Sequence, residues 1–172
     1  LDWTVGLAPL FAAGEEVDGF KATVRESDNR VLGVVGNRYV PIQNSDSFAF
    51  FDSVVGERLA MYHTAGSLDE GRKIWLLAQL PGKITVGRGD TVDKFVLLFN
   101  SHNGSSALKM MLTPIRVVCQ NTLNLALSQG AHDGISIRHT TNAMERVVEA
   151  KRVLGFAVQY YDEFAVTAQR LA

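Results

Sequence analysis

Short apolar runs separated by clusters of turn-forming residues recur along this chain, and that pattern restricts it to strands joined by tight connections. The plainest instance lies in Phe95 to Leu127. The apolar run Phe95 to Phe99 ends in Asn100, Ser101, His102, Asn103 and Gly104, which bend easily or bond their own backbone, and Ala107 to Leu112 then resumes an extended run. This reads as a hairpin. After the interruption at Thr113 and Pro114, Ile115 to Cys119 reads as a short buried segment carrying Arg116. Asn121 to Leu127 takes helical spacing through Leu123, Ala126 and Leu127.

Arg116 lies among Ile115, Val117 and Val118, with Asn121 and Thr122 just beyond Cys119. A buried guanidinium or amide left unpaired costs about 1–3 kcal/mol or more, so partners are expected. Two arrangements supply them. One is an internal brace, with Arg116 on a carboxylate and Asn121 or Thr122 capping the next helix. The other is an anion site at the start of that helix.

The rest of the chain repeats the hairpin theme. Trp3 to Phe11 is an apolar opening whose Pro9 argues against a central strand, and Ala13 to Gly19 is turn-rich. Lys21 to Glu26 and Val31 to Val40 read as paired strands around a turn at Ser27 to Asn29, with Gly33 and Gly36 allowing a bulge or close backbone approach. Ser45 to Val55 reads as a short helix capped by Ser45 or Asp46. Glu57 to Thr64 and Arg72 to Leu80 form a third strand pair around Ala65 to Gly71, and Ile74 to Ala78 suits a strand covered on both faces. Pro81 to Asp93 reads as a polar connection. A break at Ser128 to Gly134 and a brief strand Ile135 to His139 precede a long helix from Asn142 to about Leu171, whose apolar residues exceed one face.

With 172 residues and 47% hydrophobic content, the chain suits one α+β domain, residues 1–172, with a sizeable core. The expected architecture is an antiparallel sheet built from hairpins, helices packed on one face, and a long C-terminal helix that contacts a second copy. Its ends, at Leu1 and inside helical sequence at Ala172, suggest a piece of something longer. No apolar run reaches the roughly 18–20 residues that span a bilayer, and a cytoplasmic protein is expected. A formal charge of −1 removes any argument from bulk positive charge, although a local basic face remains compatible with it.

Cys119 is the single cysteine, which excludes an intramolecular disulfide, and its setting reads as packing. His63, His102, His132 and His139 are scattered without metal-ligand spacing, so neither a metal nor a cofactor is expected. The Gly33 to Gly36 stretch lacks the pattern of a phosphate-cradling loop. Arg38 beside Tyr39 suits phosphate contact plus base stacking, or equally an edge brace. His102 with Asn103 reads either as a general acid or base or as a polar turn.

Taken together, VLGVVGNRYVPIQN, TAGSLDEGRKIW, NSHNGSSA and TPIRVVCQNTLNLAL resemble, in this order, the phage- and plasmid-related proteins grouped as domain of unknown function 932. The resemblance runs from Val31 to about His139. It implies association with mobile genetic elements and hence DNA metabolism. The leading expectation is a DNA-handling module that binds or anneals single-stranded DNA through Arg38, Tyr39, Lys109, Arg116 and Arg138. A small-ligand protein or enzyme with a polar pocket of His102, Asn103, Asn121 and Thr122 beside Arg116 is the alternative, and a structural assembly protein is a third. Whether the chain is an enzyme stays open.

Overall fold

The computed structural model describes residues 1–55, 61–86, 90–129 and 134–149. Two antiparallel sheets and three helices make up this part of the chain. The first sheet has the order β1-β2-β3, from Val5–Ala12, Glu15–Arg25 and Arg30–Gly36. The second has the order β4-β5-β6-β7-β8, from Met61–Leu68, Lys73–Val86, Asp90–Ser101, Leu108–Thr113 and Ile135–Ile137. Helices α1 (Asn44–Val55), α2 (Gln120–Gln129) and α3 (143–149) complete it.

Turn chemistry accounts for the hairpins. Pro9 lacks an N–H, and β1 is accordingly an edge strand with a register shift between Pro9 and Phe11. Ala13, Gly14 and Asn29 take positive φ where β1 turns into β2 and β2 into β3. Leu32 is the extra residue of a bulge between the Thr23–Gly33 and Val24–Val31 pairs, and it is buried. The expected polar connection Pro81 to Asp93 is instead mostly ladder. Strand β5 continues to Val86 and β6 starts at Asp90, with Lys83 opposite Asp93 and their side chains 3.8 Å apart.

The expectation of one sheet with helices on one face is corrected in two respects. There are two sheets, and the larger one is covered on both sides. Alternation along β5 and β6 sends Leu76, Ala78, Val96 and Leu98 to a core shared with Phe50 and Phe51 of α1 and Ala143 and Val147 of α3. Trp75, Leu77, Leu97 and Phe99 go to the opposite core, with Val117 and with Leu123 and Ala126 of α2. The near-continuous apolar runs of these strands follow from burial on two faces.

Helix α1 starts at Asn44, so Ser45 and Asp46 lie inside its first turn rather than at its cap, and Asp46 there complements the helix dipole. Helix α3 begins near the expected Asn142, but the rest of the expected helix lies outside the described residues. So does the start of the expected Glu57 to Thr64 strand. Val147, at the start of the expected helix, is buried in the chain's own core.

Candidate functional site

The two sheets meet over the turn that follows β6. Asn100, Ser101 and His102 are each fully buried there. Asn100 Nδ2 donates to the Ile42 carbonyl at 3.2 Å, and its Oδ1 accepts from Ser101 N–H at 2.9 Å. Asn103 Oδ1 accepts from Ser101 Oγ at 2.6 Å and from Ser105 N–H at 3.0 Å, which closes the turn as an Asx motif. From the first sheet, Gly33 lies so close to Asn103 that a Cβ added to it would fall 2.6 Å from Asn103 Cα.

His102 is the centre of this junction. Its N–H donates to the Arg72 carbonyl at 2.8 Å, and its Nε2 lies 2.8 Å from Asn44 Oδ1. Asn44 Nδ2 is committed to the carbonyls of Leu1 and Trp3, both at 3.2 Å. Asn44 Oδ1 must therefore accept, which assigns the proton to His102 Nε2 and leaves Nδ1 bare and without a partner. Trp3 packs edge-on against the ring at 5.2 Å. Burial, followed by the charge of His139, pulls the His102 pKa down to about 4, so it is neutral at pH 7. His139 is also held at about 4 by burial, and its Nδ1 accepts from Ile42 N–H at 3.4 Å.

A further clamp ties the sheets together. Arg25 grips Asp28 with two bonds of 2.8 and 2.6 Å, donates to the Glu70 carbonyl at 3.0 Å, and lies over the Trp3 ring at 5.5 Å. The Arg25 guanidinium holds the Asp28 carboxyl down to about 2. Arg30 pairs with Glu70 across the same gap.

Beside the junction lies a cleft of about 730 Å³, lined by β2, the end of β3, the turn after β6 and the residues following β8. Arg38 and Arg138, both exposed, share it with Phe20, Tyr39 and His139. No carboxylate stands among its lining residues, and neither arginine forms an ion pair among the described residues. Gly19, Gly36 and Gly104 leave backbone on its walls. Tyr39 is mostly internal, because its ring stacks on His139 at 4.7 Å and its hydroxyl donates to the Ser101 carbonyl at 3.1 Å.

The structure thus brings together Arg38, Tyr39 and Arg138 of the expected nucleic-acid set, with His102 and Asn103 next to them. Lys109 and Arg116 do not line the cleft. Arg116 is exposed, which corrects the expectation of a buried, paired cation. Burial alternates along residues 116–118, so apolar neighbours in sequence do not bury Arg116: Val117 is buried while Arg116 and Val118 are exposed. Arg116→Ala is accordingly expected to move stability by no more than about 0.5 kcal/mol in a denaturant melt.

Asn121 and Thr122 belong to a different place. Thr122 Oγ1 takes the N–H groups of Val118 and Cys119 at 3.0 and 3.1 Å and donates to the Cys119 carbonyl at 2.9 Å, so it caps α2. Asn121 is exposed on the same first turn. Thr64 Oγ1 fixes this stretch through the Val117 carbonyl at 2.8 Å, on a rung with Leu77. His102 instead bonds beside the Lys73 rung, roughly 13 Å away along the strands at about 3.3 Å per residue. No single polar pocket joins His102 to Arg116, Asn121 and Thr122. Cys119, expected as packing, is exposed at the start of α2, and backbone N–H groups of the helix lower its pKa.

Sequence reading missed Phe20 and the backbone contribution of Gly19, whereas Gly36 was legible as a site of close backbone approach. The only signal of the missed pair was a lone aromatic beside a glycine in a strand otherwise poor in large apolar residues. Among the described residues no helix is long and apolar enough to cross a membrane.

The family model described as domain of unknown function (DUF932) matches residues 31–172. No curated protein and no solved structure matches the chain.

Proposed function

The chain belongs to the domain of unknown function (DUF932) family, and from that premise we propose that it is a DNA-handling module that binds single-stranded DNA in the cleft between Arg38 and Arg138. The observation that carries this reading is the pairing of two exposed guanidiniums in a cleft with no lining carboxylate, in a chain whose overall charge is −1. Local positive charge then has to be built rather than inherited from composition. Guanidiniums suit phosphate because their planar donors match two oxygens at once. Glycine backbone on the walls lets a strand approach closely. Service to a mobile genetic element is the context that the family resemblance suggests.

The volume favours a second reading, since about 730 Å³ falls within the range of small-molecule sites. In that reading the cleft holds a free nucleotide or a similar anion.

A salt series separates the two. Binding of a labelled single strand should weaken with rising salt, and each phosphate contact contributes a log–log slope of about −0.7. Replacing both Arg38 and Arg138 by alanine is expected to flatten the slope by about 1.4 and to weaken binding at least tenfold at low salt. Duplex of the same length should bind less well. Absence of single-strand binding at low salt, with saturable binding of a mononucleotide, would replace this proposal by the second reading.

A further inference from the structure

We infer that the acidic hairpin arm joining β1 to β2 docks in the arginine cleft of a second copy of this chain, each copy of a reciprocal pair offering its arm to the other; the inference stands without the single-strand reading above. Strand β3 supports the first sheet only as far as Gly36, opposite Phe20, and the Gly19 carbonyl accepts from Asn37 N–H at 3.1 Å just beyond. Past that point β1 and β2 continue alone as a two-stranded ladder, through the Phe11–Glu16 rung to Ala12–Glu15. Of residues 11–18 all but Val17 are exposed, and Phe11 is 62% exposed. A two-stranded hairpin with neither face covered is marginal in water, so the arm gains from a surface to lie against.

Charge selects the surface. The arm carries Glu15, Glu16 and Asp18, each exposed and none in an ion pair among the described residues. The cleft carries Arg38 and Arg138, also exposed and without an ion pair among the described residues, and no carboxylate lines it. A guanidinium grips a carboxylate with the same planar fork that suits phosphate. The tip itself is Ala12, Ala13 and Gly14, small residues that keep it slim. Glu16 shares a rung with Phe11, so a carboxylate and an apolar ring leave the arm on one face.

The arm does not fill the cleft of its own chain. Gly19 and Phe20 at its base line that cleft, whereas Glu15, Glu16 and Asp18 do not. Where the arm leaves the sheet, Val17 to Phe20 stand against Leu10 alone, and this bulge, with Gly19 at φ 84°, bends the arm relative to the ladder below. Because the arm grows out of the cleft's own wall, a two-fold arrangement lets each arm enter the partner's cleft, with the same contacts made twice. A nucleic-acid strand and the arm would exclude each other there.

Sedimentation equilibrium of the full chain tests this without nucleic acid, so failure here leaves the single-strand reading standing. Wild type is expected to dimerise reversibly at about 20 mM salt and to associate at least tenfold more weakly at about 500 mM, because exposed ion pairs are screened. An arm variant (Glu15→Lys, Glu16→Lys, Asp18→Lys) and a cleft variant (Arg38→Glu, Arg138→Glu) are each expected to be monomeric alone. Mixed, they should form a one-to-one dimer, since both contacts then join opposite charges. All the substituted positions are exposed, so melting should be unchanged and lost association is not lost folding. Wild type that stays monomeric at low salt, association that survives reversal of the arm, or variants that fail to associate when mixed would each overturn the docking.

Discussion

Acidification from about pH 6.5 to 4 is expected to cost this protein several kcal/mol of stability, through His102 and His139. Both are held at about 4 in the folded chain by burial, against an ordinary value of 6.5. Between those values the unfolded chain takes up protons that the folded chain cannot, so the stability is fully present above about pH 6.5 and is lost as pH falls through the window. One histidine spanning that window contributes about 3 kcal/mol at about 1.4 kcal/mol per pH unit. The structural cause at His102 is specific. Its Nε2–H is spent on Asn44 Oδ1, and a second proton would go to Nδ1, which is buried with no acceptor.

Urea melts between pH 7.5 and 4 measure this directly. His102→Asn should be less stable at pH 7, by about 2–4 kcal/mol, and should show a shallower dependence on pH over the same window. An unchanged slope in that variant would contradict the account. Asp28 loses its contribution only toward pH 2, where the Arg25 clamp holds its carboxyl, and so falls outside the window.

How much of this was legible in the sequence follows from the range over which each feature is encoded. Hairpins are local: the turn at Asn100 to Gly104 and the pairing of Phe95 to Phe99 with the following strand appear where residue types place them. The two-sided burial of the large sheet was also written there, in the unbroken apolar runs Ile74 to Ala78 and Phe95 to Phe99. The expectation of helices on one face overlooked what those runs imply. Gly33 was legible as a site of close backbone approach, but not the partner that approaches it.

Arg116 shows the opposite failure. Adjacent residues do not share a face, so apolar neighbours do not imply burial: Val117 is buried while Arg116 and Val118 on either side of it are exposed. The cleft was out of reach for another reason. Its walls come from four separate stretches around Phe20, Arg38, Gly104 and Arg138, and no local pattern records that they meet. His102 reads as a general acid or base or as a polar turn because Asn, Ser and Gly surround it, and neither reading carries its burial. The turn is buried because its polar groups are satisfied by Ile42, Asn44 and Arg72, which are remote in sequence.

Gly33→Ala is expected to be among the most damaging single-methyl changes in the chain. The added carbon would stand 2.6 Å from Asn103 Cα, 2.8 Å from its Cβ and 2.9 Å from its carbonyl oxygen. Two of those three atoms are backbone, fixed by the Asx turn and by the fully buried Ser101 and His102 that precede it, so no side-chain rotation relieves the contact. On the other side the Gly33 carbonyl accepts from buried Thr23 at 3.3 Å, which resists displacement of β3. The first sheet must therefore lift from the second, at about 3 kcal/mol or more. Gly36→Ala supplies the contrast, because the same methyl there meets only the Gly19 carbonyl oxygen at 3.9 Å and should leave melting within about 1 kcal/mol. Lifting the sheet would also carry Arg38 away from Arg138, so under the proposed single-strand reading Gly33→Ala should weaken that binding even at temperatures where it remains folded. Wild-type melting for Gly33→Ala would show that the two sheets are not in contact at this point, and the junction on which the cleft is built would have to be abandoned.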